Sequence, residues 1–278
     1  MKKAFLVAAA LCCALQARAA APAPMEDLMM AVSEGTSGGL DHAQVITKYQ
    51  GLADVIGRSI KRKVNVVFAR EFSQLEEGMK THRFAFVIAR PSDYPARGVK
   101  LYGYNYLASS RPDGHCLIVA SKESGIKTLA EAKGKRIVLP EPAAYMTKFC
   151  RAELRDQGFN LEKEKVQHVR EQGAVTFYLD NKFADVGGIA SYSGVAKKWV
   201  KEGGNVVIHK SRPQPYFPLI AGPAITDVQR AEIRKSLEGM TQSPADQVVL
   251  KTIGIEAFDT SSEARLNALL DWLGTGGL

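Results

Sequence analysis

Five polar turns hold most of the side chains that could do chemistry. They are Glu34-Gly-Thr-Ser-Gly-Gly39, Arg90-Pro-Ser-Asp-Tyr94, Glu141-Pro-Ala-Ala-Tyr-Met-Thr147, Arg170-Glu-Gln-Gly173 and Ala190-Ser-Tyr-Ser193. Each follows a short apolar run, and most contain a glycine or proline that ends regular structure. Alone, any of them is an ordinary cap. Together they offer Glu34, Thr36, Ser37, Arg90, Ser92, Tyr94, Tyr145, Thr147, Gln172, Ser191 and Tyr192 as candidate ligand-binding residues. Hydroxyl and guanidinium donors suit an oxyanion or carboxylate, and a guanidinium at Arg90 can grip either bidentately. The competing reading gives Arg90 a salt bridge to Asp93 or Glu34. Tyr94, Tyr145 and Tyr192 either wall a cleft or pack half-buried.

A second chemistry would come from sulfur. Cys116 opens an apolar run and Cys150 lies in a helical stretch. In an oxidising compartment they could form a disulfide, or remain two separate buried thiols. If Cys116 faced a cleft, a thiolate could instead bind a soft metal or a metalloid oxyanion. The five histidines, at 42, 82, 115, 168 and 209, show no metal-ligand spacing. There is no Gly-x-Ser-x-Gly elbow, no His-Glu-x-x-His and no phosphate loop ending in Gly-Lys-Ser/Thr. The chain therefore reads as a binding protein without a cofactor, not as an enzyme.

The first residues read as a cleavable export signal. Lys2 and Lys3 precede an apolar run over residues 4–15, and Ala17-Arg18-Ala19 supplies a small-x-small cleavage pattern before Ala20. The run is shorter than the roughly 20 apolar residues of a comfortable membrane span. Residues 1–19 thus form a signal peptide, and the mature chain is expected in the periplasm. The formal charge is +8, from 37 basic and 29 acidic residues, and cleavage removes Lys2, Lys3 and Arg18. No basic stripe with interleaved aromatics remains, which excludes nucleic acid as a partner.

The elements that must position the turns alternate between strand and helix. Strand-like runs occupy residues 28–32, 64–68 and 84–89, with helical periodicity over 43–60 and around Phe72, Leu75 and Met79. The pattern repeats with strands at 116–120, 136–139, 166–169, 183–189 and 206–209, and a helix opened by Pro142 that stops at Gly158. Helices at 227–240, 245–252 and 263–273 follow a Pro-rich segment, Arg212-Pro-Gln-Pro-Tyr-Phe-Pro218. Strand–helix alternation argues for mainly parallel sheets wrapped by helices. In such sheets ligands bind beyond the carboxyl ends of the strands, where the five turns fall.

The chain resembles the phosphate/phosphite/phosphonate-binding group of periplasmic solute-binding proteins. The resemblance rests on Tyr49-Gln-Gly-Leu-Ala-Asp-Val-Ile-Gly57, on Phe84-Ala-Phe-Val-Ile-Ala-Arg-Pro-Ser-Asp-Tyr94 and on Phe183-Ala-Asp-Val-Gly-Gly-Ile-Ala190. Its most specific piece is Ser124-Gly-Ile-Lys-Thr-Leu-Ala-Glu-Ala-Lys-Gly-Lys135. It implies an α/β protein of type II periplasmic-binding-protein fold, whose two lobes close on a small ligand and deliver it to an inner-membrane ABC permease. Lobe boundaries of 20–108 with 213–278, and 109–212, are expected for a monomer.

One departure bears on the ligand. The family places a Ser-Thr-Ser-Gly-like stretch where this chain has Glu141-Pro-Ala-Ala-Tyr-Met146. A bare helix N-terminus contributes roughly 0.3–1 kcal/mol to anion binding. Each lost hydrogen bond to a charged group is worth about 1.5–3 kcal/mol. That balance weighs against phosphate or phosphonate. The alternative function is a periplasmic sensor, for instance of a metalloid oxyanion through Cys116, that reports to a membrane histidine kinase.

Overall fold

The computed structural model describes residues 26–34, 41–142, 144–202 and 205–274. The proposed signal peptide, Thr36 and Ser37 lie outside the described residues.

The chain first lays down β1 (Leu28–Ser33), α1 (His42–Ile60), β2 (Val64–Phe68), α2 (Phe72–Lys80), β3 (Phe86–Ala89), α3 (Asp93–Leu101) and β4 (Asn105–Gly114). His115 alone separates β4 from β5 (Cys116–Ala120). The second set is β6 (Arg136–Pro140), α4 (Tyr145–Asp156), β7 (Lys165–Val169), α5 (Gln172–Asp180), β8 (Val186–Ala190), α6 (Gly194–Lys201) and β9 (Val206–Lys210). The return comprises β10 (Gln214–Ala221), α7 (Asp227–Gly239), α8 (Pro244–Ile253), β11 (Ala257–Asp259) and α9 (Glu263–Leu273).

These strands form two sheets, a six-stranded one ordered β11-β4-β10-β3-β1-β2 and a five-stranded one ordered β7-β6-β8-β5-β9. In the first, β1 pairs in parallel with β2 and β3, while β10 runs against β3 and β4. In the second, β6 pairs in parallel with β7 and β8, and β5 runs against β8 and β9. Helices flank both, so the expected two-lobed α/β architecture holds. Met30, Val32, Phe86 and Ile88 face one layer of helices with Tyr49, Leu52 and Ile56. Ala31, Val87 and Ala89 face another with Leu75 and Met79. That alternation of faces is the period of two a buried strand imposes.

Local signals explain where the elements start. Asp41 caps α1 in a capping box with Gln44. Pro142 does not open α4, which begins at Tyr145 after an uncapped Ala144. β10 starts at Gln214, inside the segment Arg212–Pro218 that the sequence offers as a strand crossing between lobes, and it is a paired strand of the first sheet. Proline removes a ladder donor and is normally kept out of a central strand. Here the register slips between Gln214, Tyr216 and Leu219, and Phe217 adopts a left-handed φ of 49°. That bulge accommodates Pro215 and Pro218 and re-aims Tyr216.

Cys116 and Cys150 are bonded, with Cα atoms 5.4 Å apart. The bond ties the first residue of β5 to the middle of α4. Gly188 makes room for it: a Cβ there would lie 2.9 Å from Cys150 Sγ and 2.5 Å from Leu139. The thiol-site reading is thereby corrected. Both sulfurs are shared in a buried disulfide, so neither can supply the thiolate a metalloid needs.

Candidate functional site

The carboxyl end of β1 delivers Glu34, and the carboxyl end of β3 delivers Arg90. Their side chains meet: Arg90 Nη2 donates to Glu34 Oε2 at 2.5 Å. Lys48 Nζ donates to Glu34 Oε1 at 2.6 Å, and the Tyr49 hydroxyl donates to the same oxygen. Arg90 Nη1 donates to the Tyr216 hydroxyl at 2.8 Å, and its guanidinium lies 5.1 Å from the centre of the Phe217 ring. Adjacent positions on α1 supply Lys48 and Tyr49, while the β10 bulge supplies Tyr216 and Phe217. Burial would raise the Glu34 carboxyl, but Arg90, Lys48 and Tyr49 outweigh it and hold it below the usual glutamate range. Glu34 is therefore a fully paired carboxylate, and only 4% of its side chain is exposed.

Across from this cluster, residues from the second sheet meet the start of α3. The Tyr192 ring stacks on Tyr216 with centroids 4.4 Å apart. Tyr145 and Lys148, both on the first turn of α4, approach Asp93 at the first turn of α3. Lys148 Nζ stands 3.6 Å from Asp93 Oδ2, an ion pair without hydrogen-bond distance. Asp93 is 1% exposed. Burial pushes its carboxyl up, with Lys148 and Arg97 pulling the other way. Tyr192 is pushed up by burial and by the neighbouring Tyr216 phenol, against the pull of Arg90. Three buried polar atoms here find no hydrogen-bond partner among the described residues: Arg90 Nε, Asp93 Oδ1 and the Tyr145 hydroxyl.

The structure thus brings together Glu34, Arg90, Tyr145 and Tyr192 from the sequence-derived set. Arg90 does pair with Glu34, as the competing reading held, yet keeps one donor without a partner. The other residues are engaged elsewhere. Ser92 Oγ donates to the Pro215 carbonyl and Thr147 Oγ1 to the Pro140 carbonyl, both at 2.8 Å and both buried. Gln172 Oε1 accepts from Ala190 N, and Ser191 Oγ accepts from His115 N. These bonds fix the strand ends around the site. Tyr94 is half-buried and stacks on Phe72 at 4.7 Å.

Sequence reasoning missed Lys48, Tyr49, Lys148 and Tyr216, and gave Asp93 only as a partner for Arg90. Tyr49 belongs to the apolar face of α1, so periodicity assigns it to the core. Tyr216 lies between Pro215 and Pro218, in a segment the sequence offered only as a crossing between lobes, so its pairing in the first sheet was not legible. A charged residue beside a buried aromatic, as in Lys48-Tyr49, was the available signal.

Comparison with known proteins agrees with this fold. XAC2383 from Xanthomonas citri, solved bound to ATP, superposes with a TM-score of 0.68 at 15% identity, over 89% of this chain and 96% of that one. PhnD1 from Prochlorococcus marinus, in complex with methylphosphonate, gives 0.64 at 9% identity over 89% and 98%. The periplasmic aliphatic sulphonate binding protein SsuA from Escherichia coli gives 0.58 at 16% over 90% and 83%. At such identities the likeness carries the fold. The family match reaches further, covering residues 39–266. The chain belongs to the phosphonate-binding family of periplasmic substrate-binding proteins of ABC transporters.

Proposed function

We propose that this protein captures a small anion between its two lobes and presents it, as a monomer, to a membrane permease. The observation that supports this is the set of donors contributed from both sides of one seam. Arg90 Nε comes from the first sheet, and the Tyr145 hydroxyl and Lys148 come from α4 of the second. A buried donor without a partner costs roughly 1–3 kcal/mol, and an anion that both lobes touch recovers that cost only when they close. In this reading β1 to β4 with β10 to α9 form one lobe and β5 to β9 the other, so the first boundary falls after Gly114 rather than at the expected residue 108, because all of β4 pairs within the first sheet. The chain crosses between the sheets at His115 and again between β9 and β10. Ser211 binds both crossings: its Oγ accepts from Cys116 N, and its carbonyl meets His115 Nδ1 at 2.8 Å.

Export by the signal peptide and release of residues 1–19 complete this reading. The sensor alternative has lost its thiol chemistry, and delivery to a permease accords with the family. Calorimetric titration with phosphonate, phosphate, sulfonate and carboxylate compounds, paired with small-angle scattering, is the test. At least one class should bind and compact the protein, and Arg90→Gln should abolish both responses. Absence of heat and of compaction with every class would overturn the proposal.

A further inference from the structure

We infer that the ligand is a monoanion with an apolar or aromatic body, a carboxylate or sulfonate rather than a dianionic phosphonate. This rests on the anion-binding reading above and adds the charge and character of the ligand.

The charge at the seam carries the argument. Three cations face it, Arg90, Lys48 and Lys148, and two carboxylates, Glu34 and Asp93. Arg97, the next cation outward, already has its own partner in Glu76 at 3.5 Å. The site therefore holds one positive charge in excess. Glu34 and Asp93 are 3% and 1% exposed, so water screens neither. A bound monoanion leaves the closed seam neutral. A dianion leaves a net negative charge beside two buried carboxylates, and an uncompensated buried charge is among the most expensive arrangements in a protein.

The donors and the walls agree with that count. A phosphonate has three oxygens to satisfy, yet the hydroxyl hydrogens of Ser92 and Thr147 are bound to main-chain carbonyls. Among the described residues, the buried side-chain donors without a partner at the seam are Arg90 Nε and the Tyr145 hydroxyl. Beside them stands Tyr192, half-buried, with one ring face stacked on the buried Tyr216. Its other face rewards an apolar or aromatic ligand body.

The test compares anions of one carbon skeleton: methanesulfonate against methylphosphonate, and benzenesulfonate and benzoate against phenylphosphonate. Titrations run at mildly alkaline pH, above the second ionisation of the phosphonates, which lies higher than the value of about 6 for a phosphate ester. Each monoanion should bind about tenfold or more tighter than its phosphonate, a difference of about 1.4 kcal/mol, and the aryl compounds tighter than the methyl ones. Asp93→Asn adds a positive charge to the balance, so phosphonate binding should rise and the ratio narrow about fivefold or more. Lys148→Gln removes the excess, and monoanion affinity should fall about tenfold. Phosphonates binding as tightly as their monoanion partners, or a ratio unmoved in both variants, would overturn this inference while leaving anion capture intact. No binding by any compound would overturn both.

Discussion

The two halves of the seam treat the same kinds of side chain in opposite ways. Around Glu34, two cations and a phenol fill both carboxylate oxygens and leave only Arg90 Nε without a partner among the described residues, and the net effect is a carboxyl held below its usual range. Around Asp93, an equally buried carboxylate has one cation at 3.6 Å and one oxygen without a partner, and its carboxyl is pushed up. Burial acts alike on both. The difference is how many donors reach each oxygen, and it separates a carboxylate with both oxygens filled from one with an oxygen left open. The finished half draws on β1, α1, β3 and β10, all within the first sheet and its helices. The unfinished half needs α3 from one lobe and α4 from the other, so its geometry depends on how the lobes meet.

Breaking the finished half should have the largest effect. Arg90→Ala leaves Glu34 buried with Lys48 and Tyr49 alone, and removing one partner of a buried pair costs about 3–5 kcal/mol. A value near about 3 kcal/mol is expected, because two of the three donors stay. The cycle with Glu34→Gln, followed by urea unfolding, should return a coupling of at least about 1 kcal/mol. A loss in Arg90→Ala below that coupling would mean the Glu34 cluster does not stabilise the chain, and the contrast with Asp93 would vanish.

In the unfinished half the sign should reverse. Tyr145→Phe removes a buried hydroxyl that has no partner among the described residues, while the ring keeps its packing against Phe149 at 5.8 Å. The ligand-free variant should gain about 1 kcal/mol in urea unfolding and lose about tenfold in anion affinity. A variant that loses stability would show that the hydroxyl is already satisfied, and Tyr145 would join the structural group.

This contrast also marks what could be read from the sequence. Periodicity and turn chemistry located the strands and most helices, because burying one face imposes a period on every residue of an element. They also placed Glu34, Arg90, Tyr145 and Tyr192 beside one another, since strand ends in a sheet of this kind share one edge. The roles of those residues were not legible. Whether Arg90 binds Glu34 or a ligand depends on Lys48 and Tyr49, which arrive on α1 disguised as part of a core face. The β10 bulge that aims Tyr216 was hidden because proline normally excludes a central strand. The Cys116–Cys150 bond was one of two readings the sequence left open, since spacing sets no Cα distance.

The smallest effect sharpens the comparison through pH. Asp93 titrates above its ordinary 3.8 in the folded chain, so the folded state favours its protonated form. Its contribution to stability is therefore fully present below 3.8 and is lost as pH rises through the raised value. Glu34 behaves oppositely. Its stabilisation is present above the ordinary 4.5 and is lost as pH falls through its lowered value. Moving down from neutral pH, the Asp93 penalty should be relieved first, before Glu34 begins to protonate. Asp93→Asn removes that penalty at every pH, so its gain over the parent protein should be greatest near neutrality and shrink on acidification. Urea unfolding of both proteins across that range measures the difference directly. A difference that stays constant with pH would mean Asp93 titrates like an ordinary surface carboxylate, and the two halves would no longer differ.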